Sequence, residues 1–196
     1  MQQIEDTPGP MTFLYTARGI YDPTCDSEGL AWREYVEWSK LTHLTELVSV
    51  DYSLNEILVE PDRDNAEDWE FVFTVNYRET SFFRSSEYVF RRMKARTRFN
   101  LLAIVIEPGR ECRDIPLDGY EFMGYDLLDQ YFETSALSNC GGFEETFSRA
   151  DLNAKGLIAD FTSAKDIQKR LFENNPGEDH ADTNIIAIWR HATIGR

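Results

Sequence analysis

Asn100-Leu101-Leu102-Ala103-Ile104-Val105-Ile106 is an almost unbroken apolar run, stopped by Pro108-Gly109. A half-buried strand would alternate polar and apolar side chains, so a run apolar at nearly every position needs cover on both faces. The stretch therefore predicts a buried central strand, and the rest of the chain can be read as what lies beside and over it. Tyr120 to Leu128 is a second such run, reached through a polar connection, and Ile185 to Trp189 reads as the last strand. Between them Thr162 or Ser163 starts a helix, with Ser163 and Asp166 at capping-box spacing. Ile167 and Leu171 face inward, Phe172 beside them, until Asn174-Asn175-Pro176-Gly177 ends the helix.

Upstream of the central run, Phe71 to Tyr77 is strand-like in composition. Ser85 and Ser86 offer an N-cap to a helix whose buried stripe is Val89, Met93 and Phe90. From residue 71 onward the order is strand, helix, strand, strand, helix, strand. That order matches the split βαβ, ferredoxin-like arrangement, with an irregular insertion at 129–161 before the second helix. The N-terminal part then reads as an extension. Residues 1–10 form a loose leader around Pro8 and Pro10, Met11 to Tyr15 a short strand and Glu28 to Lys40 an amphipathic helix. Leu44 to Tyr52 reads as another strand, which could stand in for 71–77 as first member of the core. The expectation is one α+β domain over 1–196, with a mainly antiparallel sheet of four to six strands and about three helices.

Composition narrows the function classes. The 196 residues are 42% hydrophobic and 13% aromatic, which excludes a disordered tail protein. Thirty-five acids against 20 Lys plus Arg give a net charge of −15. Such a surface repels phosphate backbones and favours fast encounter with basic partners. The opening residues lack a basic segment followed by an apolar one, and the longest apolar runs are far short of the ~20 residues that span a bilayer. Cys25, Cys112 and Cys140 form no CxxC pair, so reduced thiols and a cytoplasmic location are expected.

The charges are not evenly spread. Asp51, Glu56, Glu60, Asp62, Asp64, Glu67, Asp68 and Glu70 stand against a single Arg63. Just beyond them Arg84, Arg91, Arg92, Lys94, Arg96 and Arg98 surround the helix stripe, opposed only by Glu87. Charge runs are most often solvated faces. Three further readings are open: the acidic block neutralises the basic helix, the helix contacts RNA with Phe82, Phe83 and Tyr88 for stacking, or the block docks a basic partner. The whole-chain charge favours the last. The expected docking residues are Glu56, Glu60, Asp62, Asp64, Glu67, Asp68 and Glu70.

Catalytic signals are sparser. Asn139-Cys140-Gly141-Gly142 would present a nucleophilic thiol on a tight turn, with His180 as base oriented by Asp179 or Asp182. A turn residue and a surface histidine explain the same residues more simply. Glu178, Asp179, His180 and Asp182 include metal-ligand types, but their spacing fits neither HExxH nor an EF-hand loop. Neither GxxxxGK[ST] nor GxGxxG occurs, so no cofactor and no metal are expected. The leading expectation is an acidic cytoplasmic binding protein that neutralises or regulates a basic partner, as an inhibitor or immunity-type protein does. A small hydrolase or transferase using Cys140 and His180 is the alternative.

Overall fold

The computed structural model describes residues 11–20, 42–52, 55–62, 64–75, 78–93, 96, 98–138, 146–178 and 181–195. The leader at 1–10 and the helix expected over 28–40 lie outside them. The described residues form an α+β structure around one six-stranded antiparallel sheet. Its strands are β1 (Leu14–Arg18), β2 (Val72–Val75), β3 (Arg78–Phe83), β4 (Asn100–Ile106), β5 (Tyr120–Asp129) and β6 (Thr183–His191). Three helices join them: α1 (Ala66–Trp69), α2 (Ser86–Arg92) and α3 (Phe161–Asn174).

The sheet order is β2-β3-β1-β4-β6-β5. This corrects the ferredoxin-like expectation, in which the last strand would sit at an edge beside the first. Here β6 lies between β4 and β5, and β1 separates β3 from β4. The supposed N-terminal extension is thus a central strand, paired with β4 from Leu14↔Ile104 to Arg18↔Asn100. It pairs with β3 only at Tyr15↔Phe83. Further along β1, residues 56–58 take over as its neighbour, through Gly19 N–H to Glu56 O and Leu58 N–H to Ala17 O.

Because the register is known, the two faces of the sheet can be separated. On one face Tyr15, Ala103 and Trp189 stand side by side, and helices cover them. Ala164, Ile167 and Leu171 of α3 join Tyr125, Ile185 and Ala187 in one apolar cluster. Tyr88 and Val89 of α2, with Met93 just beyond it, close over Ala17, Phe83 and Leu101 in another. The other face presents Leu14, Leu102, Ile104, Ile186 and Ile188. Among the described residues its cover comes from three non-helical segments, through Val48 and Val50, through Phe132 and through Leu157.

That cover explains a second correction. Leu44 to Tyr52 is rich in strand-forming residues, yet it joins no strand. It crosses the sheet face as a strap, with Thr45 and Glu46 N–H groups on Ala154 O, Val48 N–H on Lys155 O and Tyr52 N–H on Glu133 O. Residues 152–158 close onto β5 at Gly124, where φ is +140° and an added Cβ would lie 2.7 Å from Ile158 O. A side chain there would force the segment away. Two helix boundaries also differ from expectation. α3 is capped by Asp160, whose side chain accepts from Ser163 N–H, and α2 ends at Arg92 with Met93 as its C-cap, short of the basic run's end.

Candidate functional site

The acidic block is partly helical. Asn65 caps α1 by accepting from Glu67 N–H, and the turn that follows carries Asp68 inward. Asp68 is 3% exposed, accepts from Asp62 N–H at 2.8 Å and Asn65 Nδ2 at 3.1 Å, and is paired with Arg92 of α2. Burial pushes its carboxyl up, but the Asp62 N–H, Tyr88 and the Arg92 charge outweigh that and hold it below the usual range. Arg92 also stands over the Tyr88 ring and reaches its hydroxyl. Asp68 is therefore a fastener: it pins the acidic segment to the basic helix.

The other six expected docking residues face solvent. Glu56, Glu60, Asp62, Asp64, Glu67 and Glu70 are all exposed, with Trp69 beside them at 37% exposure. Glu56 lies 3.6 Å from Arg96 in a pair that is open to water on both sides, an arrangement that adds little stability. Along the basic run, Arg92 is paired with Asp68 and Arg96 with Glu56. Arg91 is exposed, and Arg84 leans over Phe73. The result is a carboxylate face held at its base by a half-buried ion pair, with Asp68 inside and Arg92 open to solvent on its outer side.

The expected catalytic residues Cys140, Asp179 and His180 lie outside the described residues. Cys112 is described and buried. Burial pushes its thiol up, and its N–H is held by the Tyr125 hydroxyl at 2.6 Å, so it is a packing residue. Among the described residues no group of three metal-ligating side chains occurs, and no helix is long and apolar enough to cross a membrane.

A buried polar network under the strap went unanticipated. Asp51 and Asp126 are 0% and 1% exposed. Ser135 joins them, giving its N–H to Asp51 Oδ2 at 2.9 Å and its hydroxyl to Asp126 Oδ1. Ser49 gives its hydroxyl to Asp126 Oδ2 at 2.6 Å and accepts from Asp51 N–H, while the Ser138 hydroxyl reaches Asp51 Oδ2. Burial pushes Asp126 up to about 6; Ser135 and Ser49 pull it down and Asp51 pushes it further up. Arg18, 2% exposed, is lowered to about 10 by burial, with Asp51 acting against that, and it faces the Phe82 ring at 6.0 Å. A second group lies along the strap, where Glu46 meets Arg190 at 2.6 Å and Lys155 at 2.8 Å. These partners come from segments up to 144 positions apart, so no local pattern announces them.

A cavity of about 500 Å³ opens between residues 113–120, Phe122 and Trp189. Aromatic rings pack at its base, with Tyr120 against His191 and Phe122 against Trp189. His191 accepts from Thr193 and Ile194 N–H at Nδ1, which places its proton on Nε2. The Trp189 Nε1 and Tyr120 hydroxyl are themselves buried, and the rim mixes Arg113 with Asp114 and Asp118. The chemistry there is aromatic packing under a rim of mixed charge.

Comparison with known proteins gives no match. No family model, curated protein or solved structure is similar to the chain.

Proposed function

We propose that this chain is an acidic binding module whose 56–70 face docks a basic protein partner and neutralises or regulates it. The observation that carries the reading is the sorting of the acidic block. One carboxylate, Asp68, is spent on anchoring, while Glu56, Glu60, Asp62, Asp64, Glu67 and Glu70 remain in solvent around Trp69. A fixed array of like charges steers an oppositely charged partner and sets its orientation. It also carries a cost in self-repulsion, which a basic partner would relieve. The −15 net charge extends the attraction beyond the face itself.

The test is a pair of baits in nuclease-treated lysate of the source organism, wild type and a variant with Glu60, Asp64, Glu67 and Glu70 all changed to Lys. A basic protein held by wild type, released by a salt gradient and lost from the variant supports the reading. Capture that ignores both salt and the four reversals overturns it.

A further inference from the structure

The network under the strap uses none of the docking-face acids and ties the strap and residues 131–138 to that side of the sheet. We propose that Asp126 is a proton-operated latch: its neutral carboxyl keeps the strap and residues 131–138 closed on the sheet, and its ionisation loosens them. Asp126 is on β5, Ser49 and Asp51 on the strap, and Ser135 and Ser138 on the following segment, so the latch ties three parts of the chain at one point.

Charge balance sets the direction. From β1, Arg18 brings one cation into reach of Asp51. Among the described residues, Arg190 of β6 and Lys155 of the 152–158 segment are both taken by Glu46 of the strap. Asp129, further along β5, is held locally by Tyr131 N–H, Glu133 N–H and the Thr134 hydroxyl. With Asp126 protonated, Arg18 and Asp51 offset one another. With Asp126 ionised, a second negative charge stands in a dry interior beside Asp51, and burial penalises it heavily. The 2.6 Å contact with Ser49 serves both states, because the serine can donate to a carboxylate or accept from a carboxylic acid. The proton released on opening goes to the solvent that then reaches Asp126.

The sign follows from linkage. A carboxyl whose folded pKa is raised stabilises the closed state at low pH, and that contribution is lost as pH rises through the folded value. With Asp126 at about 6 in the closed state, the opening equilibrium grows about tenfold between pH 5 and 7.5.

Hydrogen exchange of the segments 44–52 and 131–138, corrected for intrinsic rate, reads this directly. Wild type should lose about tenfold in protection over that pH range. Asp126→Asn should show no such slope and match the wild-type protection of acidic pH. Equal protection at both pH values in wild type, or the same slope in Asp126→Asn, would overturn the latch. Should the variant fail to fold, the carboxyl carbon resonance of Asp126 in wild type decides: a midpoint near 6 supports the latch, and one at or below 4 refutes it.

Discussion

The carboxylates of the strap face and those of the 56–70 face are the same chemical group in opposite surroundings. Asp51, Asp126 and Glu46 sit inside, each tied to groups from distant parts of the chain. Glu56 through Glu70 sit in water, with only Asp68 turned in. A buried charge must be partnered or neutralised, so the interior acids determine how the chain closes. An exposed charge is screened and cheap, so the outer acids contribute little to how the chain closes. In a chain of net −15, burial and partners separate structural acids from solvent-facing ones; their number does not.

The contrast can be broken most severely at its buried end. Asp51→Ala strands the Ser135 N–H and the Ser138 hydroxyl and leaves Arg18 without its nearby negative charge. It should cost about 3 to 5 kcal/mol in denaturant unfolding, the usual result of removing one partner from a buried charged set. Glu46→Gln should follow closely, at about 3 kcal/mol, because Arg190 is then buried without a counter-charge. Its pH signature sharpens the comparison. Burial raises the Glu46 pKa, but Lys155 and Arg190 lower it further, so its folded value is depressed. Its stabilisation is present above the ordinary carboxylate range and lost as pH falls through the folded value. Asp126 has the opposite sign, so a pH scan of the two variants should diverge in acid.

Asp68→Asn stands at the boundary between the two sets. It keeps the shape but removes the charge that Arg92 answers. A loss of about 1 to 3 kcal/mol is expected, with faster exchange in 60–70 than elsewhere. At the far end, reversing Glu60, Asp64, Glu67 and Glu70 should move stability by no more than about 0.5 kcal/mol per site, since exposed positions away from special contacts rarely do more. A large loss from those four would place them in the structural set.

Several parts of this were legible in the amino-acid order. The apolar run 100–106 is the doubly covered central strand, and Ile167 and Leu171 do face the core from α3. The acidic block of 56–70 was legible as a block, but the burial of Asp68 within it was not. β1 was read too early in the chain, because buried Thr16 and Arg18 look like the polar end of a strand. β3 was missed because Arg78-Glu79-Thr80-Ser81 carries no apolar alternation. The strap was misread for the reverse reason: Val48 and Val50 alternate as a strand would, but they press on a sheet instead of extending one. The burial of Asp51 and Asp126 depends on Ser49, Ser135 and Ser138, three residues that look like ordinary surface positions until the fold brings them together.

The proposed function divides the acids into an outer set that binds and an inner set that holds. An NMR titration of the wild-type chain with a hexalysine peptide addresses it most directly. Amide shifts concentrated in 56–70, fading as salt rises from 50 to 300 mM and absent in the four-fold reversal, are the predicted result. Shifts scattered over the whole acidic surface, or unchanged by the reversal, would contradict it.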